Sequence, residues 1–189
     1  MVLAEAVIFW IVLAVLLRRD LSGIARCSFR GGWKLAGLVA ALFAAQALVI
    51  VYAPGQSLVQ VLILALSQAA LLVLVAINRH LPGAILFALG TLLNTTVMLA
   101  NGGWMPITPQ MYHFVHPERP VEAYARPPSS KGIILPESET RLYPLSDIVP
   151  VTLPWRRTAL SIGDLLLIAS TAQFILHATS KRQLPIWTM

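Results

Sequence analysis

The residue of this sequence best placed to do chemistry is an aspartate inside an apolar stretch. Asp164 stands in Ser161-Ile162-Gly163-Asp164-Leu165, near the start of an apolar run that continues to Ala178. An acidic side chain at the centre of hydrocarbon costs roughly 2.5–3.5 kcal/mol on insertion scales, and less near an interface. It must therefore face protein, water or a partner. Helical spacing puts Ser161 and Thr171 on its side, with Gly163, Ser170, Gln173 and His177 nearly opposite. A helix polar on two sides suits lipid on neither. At about 1.5 Å per residue, Asn94 and Asp164 lie at a common depth, roughly 10 Å below one boundary of the apolar layer. Asn94 and Thr95 are thus expected to donate hydrogen bonds to the Asp164 carboxylate, and Glu5 is assigned to the same layer. Asp164, Asn94, Thr95, Ser161 and Glu5 make up a candidate intramembrane polar cluster. Its chemistry is a proton- or ion-responsive site, a ligand headgroup contact, or an interhelical clasp of about 1–2 kcal/mol.

Other reactive groups are sparse. His113 and His116 in Tyr112-His113-Phe114-Val115-His116-Pro117-Glu118 have metal-ligand character, but Pro117 argues against the helix that would align them, and only Glu118 stands near as a third ligand. No metal site is assigned. The single cysteine, Cys27, excludes an internal disulfide. Gln46, Gln60, Ser67 and Gln68 sit within apolar runs, where such residues join helices. Gly83, Ala84, Ala88, Gly90 and Asn94 make a small-residue stripe for close helix packing. The sequence carries no nucleophile elbow, phosphate loop, dinucleotide fingerprint or zinc-protease motif. No catalytic residue or cofactor is assigned, and the reading leans away from an enzyme.

These residues must be positioned by apolar helices. The chain is 57% hydrophobic and only 12% charged, with mean hydropathy +0.74. Soluble domains carry about 25% charged residues, so a bilayer is the solvent that fits. Five apolar runs, at about 2–17, 35–53, 57–77, 82–100 and 159–178, read as transmembrane helices of one membrane domain spanning 1–189. The first run lacks a basic segment before it and is read as a retained helix rather than a signal peptide. Turns at 54–56 and 78–81 are short enough to make neighbours antiparallel, with Pro82 as a first helical residue. Residues 20–34 read as a basic loop or surface helix.

Residues 101–158 form a long loop holding ten of the 13 prolines. Extended chain with turns is expected there, with one short helix near 137–142. The fold class is all-α. Orientation follows from Lys and Arg in the short flanking loops. Arg18, Arg19, Arg26, Arg30, Lys34, Arg79, Lys181 and Arg182 share one side with a single acid, Asp20. That side reads as cytoplasmic, putting the N-terminus and the 101–158 loop outside. Trp33 and Trp187 would mark the inner interface, Trp104 and Trp155 the outer. The formal charge of +6 is spread between apolar runs, which argues against nucleic acid and for lipid headgroups.

The stretch from about 80 to 180 resembles a family of small bacterial integral membrane proteins, a domain of unknown function. The resemblance rests on Asn101-Gly102-Gly103-Trp104-Met105-Pro106, Lys131-Gly132, Thr140-Arg141-Leu142, Leu145-Ser146-Asp147-Ile148-Val149-Pro150 and Ser161-Ile162-Gly163-Asp164. Trp104 stands where that family is expected to carry a basic residue, and Ser146 where it is expected to carry Gly. The resemblance implies about five helices, with the loop as a defined element, and no assigned activity. Asn101, Gly102 and Gly103 are expected to end the fourth helix as a glycine cap. Asp147, bonding backbone groups or pairing with Arg141, would hold the loop over the helix ends.

The leading expectation is a multi-pass accessory or interaction subunit of the inner cell membrane. It would dock on a larger assembly, an energy-transducing complex being one candidate, through a protein partner or as an oligomer. The alternatives are a small-molecule or ion carrier using Asp164 and Asn94, and a lipid-modifying membrane enzyme.

Overall fold

A computed structural model describes residues 2–52, 58–127 and 130–180. The turn at 54–56 and the basic and aromatic residues Lys181, Arg182 and Trp187 lie outside the described residues. The chain is mostly helical. In order it forms α1 (Val2–Leu16), α2 (Ser22–Ala25), α3 (Gly32–Tyr52), α4 (Leu58–Ile77), α5 (Ala84–Ala100), β1 (Met105–Ile107), α6 (Pro109–Val115), β2 (Gly132–Ile134), β3 (Val149–Leu153), β4 (Arg156–Leu160) and α7 (Ile162–Ala178). Two 3-10 turns, Glu137–Glu139 and Tyr143–Leu145, lie between β2 and β3.

Among the described residues two helices, α3 and α4, are long and apolar enough to cross a membrane. Only 17% of each hydrophobic window is buried inside the protein. Of the five expected spans, only these two reach that length among the described residues. α1 has 15 residues, and α5 and α7 have 17 each, short of the roughly 20 that a bilayer core requires. The shortening has local causes. Gly83 adopts a left-handed conformation and delays α5 to Ala84, so Pro82 lies in the preceding turn rather than at the first helical position. Arg156–Leu160 pairs as a strand, which delays α7 to Ile162.

Those strands also correct the all-α reading. β1 and β2 pair in parallel, with Pro106 opposite Ile133. β3 and β4 form an antiparallel hairpin, with Val151 opposite Thr158. Thr108 caps α6, its hydroxyl accepting from Met111 N at 3.2 Å, and Pro109 takes a first-turn position where no donor is missed. The 101–158 segment is thus a folded cap over one end of the helices. Trp104, read as an interface anchor, is fully buried beneath it, whereas Trp33 and Trp155 are exposed.

The helices pack in the order α1, α7, α5, α4, α3, each mainly against its neighbours in that row. The tightest approach joins α5 to α7. A Cβ on Gly90 would come within 2.6 Å of Gly163 O, and one on Gly163 would overlap Asn94 Oδ1. Small residues let the two backbones meet, the usual route to helix association where water supplies no driving force. At the far end Asn78 ties the loop before α3 to the end of α4. It accepts from Arg30 N at 2.7 Å and donates to Arg30 O at 2.9 Å.

Gly163→Ala is expected to lower stability by about 1–3 kcal/mol through overpacking. Gly37→Ala, with open space around it, is expected to be neutral or to gain up to about 1 kcal/mol. Thermal unfolding of both variants in the same detergent checks the contrast.

Candidate functional site

The site is built at the head of α7. Ser161 has extended backbone, and its hydroxyl accepts from Asp164 N at 2.9 Å. Asp164 Oδ2 accepts from Ser161 N at 3.1 Å, closing a reciprocal capping box. A carboxylate in the first helical turn also meets the positive end of the helix dipole. Asp164 therefore sits in the first turn of α7. From α5, Asn94 donates its amide to Asp164 Oδ1 at 2.9 Å and accepts from the Ser161 hydroxyl at 2.8 Å. Asn94, Ser161 and Asp164 thus form one closed network, with both carboxylate oxygens engaged.

Thr95 and Glu5 stand apart from it. The Thr95 hydroxyl donates to Thr91 O at 2.6 Å, the back-bond that a helix offers any threonine. Glu5 pairs with Arg156 of β4 at 2.7 Å, fastening α1 to the hairpin. Among the other polar residues of the apolar helices, Gln46 and Ser67 join α3 to α4 in a fully buried contact, Ser67 Oγ donating to Gln46 Oε1 at 3.4 Å. Gln60 is equally buried, beside Gly103.

The cap is anchored where the glycines fall. Gly102 takes a left-handed conformation and Gly103 N donates to Met98 O at 2.7 Å, ending α5 in a Schellman-type turn. The Asn101 amide donates to Arg141 O at 2.9 Å and accepts from Arg141 N at 3.1 Å, so Arg141 is held through its backbone. Its guanidinium reaches Ala100 O at 3.5 Å. Asp147 does not pair with Arg141. Its backbone N–H donates to Pro106 O at 3.2 Å, while carboxylate Oδ1 is enclosed without a hydrogen-bond partner. Burial, then the nearby Asp164 charge, push the Asp147 carboxyl well above the usual carboxylate range. Lys131 lies in the same field. Its burial lowers the ammonium pKa, against an opposing pull from Asp164, and its Nζ is 5.5 Å from the Phe43 ring centre.

One further group was not singled out from sequence. The Arg126 guanidinium stacks 3.4 Å over the Trp104 ring, and donates to Ile50 O at 3.4 Å. It brings a positive charge to the position where Trp104 replaces an expected basic residue. Nothing in the spacing of Trp104 and Arg126 signals the contact, since the strand and helix between them decide it. The histidines lie elsewhere. His113 is exposed on α6, and His116 Nδ1 is 3.6 Å from Glu118. Among the described residues, no three of His, Cys, Asp and Glu are grouped to hold a metal ion.

A family model described as a family of unknown function, DUF5317, matches residues 26–176. The chain belongs to this family. The match takes in Asn94, Asn101, Trp104, Arg126, Lys131, Arg141, Asp147, Ser161 and Asp164, and leaves Glu5 outside. An uncharacterized protein of Thermotoga maritima is 32% identical over 90 residues, covering 47% of this chain and 48% of that relative. The matched stretch thus spans about half the length of each. No solved structure matches. For a DUF5317 chain the geometry therefore has to be read from its own residues, and it describes a hydrogen-bonded helix clasp roofed by an anchored cap.

Ser161→Ala removes a cap and leaves Asn94 Oδ1 short of a donor. It is expected to cost about 1–3 kcal/mol, against less than about 0.5 kcal/mol for the half-buried Thr95→Ala; denaturant unfolding in micelles measures both. Asp147 gives a pH signature. Its folded-state pKa is raised, so its stabilising contribution is complete below the ordinary carboxylate value and is lost as pH rises through the folded value. Asp147→Asn should accordingly melt above the wild type at neutral pH, with the advantage vanishing toward pH values below about 4.

Proposed function

We propose that this protein is a multi-pass subunit of the inner cell membrane that docks on a larger membrane assembly. In this reading α1, α3, α4, α5 and α7 all cross the bilayer, with the N-terminus outside and the C-terminus cytoplasmic. The three shorter helices are accommodated by local thinning and by apolar residues flanking their ends. The observation that carries the proposal is the packing order of the helices. Five apolar helices laid in a row leave broad faces uncovered, and the outermost, α3, keeps most of its apolar surface outside the protein. Such a layer gains from meeting another membrane protein.

The folded cap adds a second docking surface. Tyr124 and Trp155 are 58% and 67% exposed, and aromatic residues of this kind anchor protein contacts. The clasp supports the same reading from the negative side. Asp164 spends both carboxylate oxygens on the helix junction, which leaves it little capacity for cargo.

A proton- or ion-linked carrier is the second reading. It is favoured by the enclosed, unpartnered Asp147 oxygen close to the charges of Asp164 and Lys131. Unchanged proton-coupled uptake in vesicles containing Asp164→Asn and Asp147→Asn variants would remove it.

Gentle detergent extraction followed by affinity purification tests the leading proposal. A stoichiometric membrane partner is expected, with its yield reduced at least severalfold in a Tyr124→Ala/Trp155→Ala variant. Recovery of the protein alone under every mild condition overturns it.

A further inference from the structure

The half of the helix layer away from the cap contains an apolar slot. A cavity of about 380 Å³ opens there between α1, α4, α5 and α7, with Ile24 and Phe29 at its end. Val7, Ile11, Leu74, Phe87 and Phe174 supply much of its wall. Phe29 and Phe174 meet edge to face at 6.1 Å. The wall is almost wholly hydrocarbon, Asn78, Ser170 and Thr171 being its polar members.

The rim has the opposite character. Phe29 and Asn78 both line the slot, and each is followed in the chain by an exposed arginine, Arg30 and Arg79. The Asn78 amide holds the two segments together through the Arg30 backbone, so both arginines stand at the same end of the slot. The one acid on this side of the helix layer, Asp20, is taken by the Arg26 guanidinium and by Ser22. Among the described residues no ion pair compensates Arg30 or Arg79, and the rim is basic.

We propose that the slot holds one acyl chain of an anionic glycerophospholipid, with its phosphate against Arg30 and Arg79. The inference rests on the reading of the chain as a bilayer protein, and not on its docking to a partner. Charge complementarity selects the occupant. A zwitterionic lipid would place a cationic group beside two arginines, whereas an anionic headgroup is attracted to each basic residue near the surface. A partner helix, about 10–12 Å across with its side chains, is too broad for a slot of this volume walled by four helices.

The test is lipid retention. The full chain is reconstituted in vesicles of phosphatidylcholine containing a minor share of phosphatidylglycerol, released gently, and weighed by native mass spectrometry. One phosphatidylglycerol per chain is expected in preference to phosphatidylcholine. Arg30→Gln/Arg79→Gln should weaken that preference about 30-fold. Arg119→Gln/Arg157→Gln, on the cap, should leave it unchanged. Ala84→Phe, which fills the slot without touching the charges, should abolish retention while the helical circular dichroism is kept. Equal retention of both lipids, retention that survives Ala84→Phe, or a second protein chain in place of lipid overturns the proposal. Failure of the protein to float with the vesicles overturns the membrane reading, and the proposal with it.

Discussion

The close approach of α5 and α7 is the constraint on which the remaining structure depends. Gly90 and Gly163 carry no side chains at the crossing, and any Cβ there would collide with backbone or with Asn94. Because the backbones come so near, Asn94 can reach past Gly163 to the start of α7 and engage Ser161 and Asp164 together. The polar clasp is thus a consequence of the small residues beside it. Burying a lone carboxylate is costly, and the clasp gives the Asp164 carboxylate two donors, the Asn94 amide and the Ser161 backbone N–H.

The cap follows from the same junction. β4 runs directly into Ser161, so the position of the α7 head fixes the hairpin, and the hairpin reaches α1 through Arg156 and Glu5. On the other side α5 ends in the Gly102–Gly103 turn, which delivers Trp104 inward and lets Asn101 hold the backbone of Arg141. Both flanks of the long loop are therefore set by the two helices that touch most closely. A loop rich in proline becomes an ordered cap because its ends are fixed and its apolar residues, Trp104, Ile133 and Ile134 among them, have a place to be buried.

The two halves of the molecule differ in electrostatic character for physical reasons of the same kind. Beneath the cap, acidic and basic groups are partly withdrawn from water, and Asp147 is driven toward its neutral form by burial and by Asp164. At the opposite end Arg30 and Arg79 stay exposed, with Asp20 committed to Arg26.

The amino-acid sequence determined the low charge and the number of apolar runs, because these are properties of composition that no folding can alter. It also placed the glycine turn after α5, since Asn-Gly-Gly following an apolar helix has few other uses. Residue counting named Asn94 as a donor to the Asp164 carboxylate, which the structure shows, but not the Ser161 hydroxyl that closes the network through Asn94 Oδ1. Tertiary structure decided where α5 and α7 begin. A short apolar stretch such as Thr158-Ala159-Leu160 serves strand or helix equally, and its pairing with β3 settled the choice. Tertiary structure likewise separated Thr95 and Glu5 from Asp164, laid Arg126 on Trp104, and enclosed Asp147. These contacts join residues far apart in the chain, and no local periodicity encodes a distance across the fold.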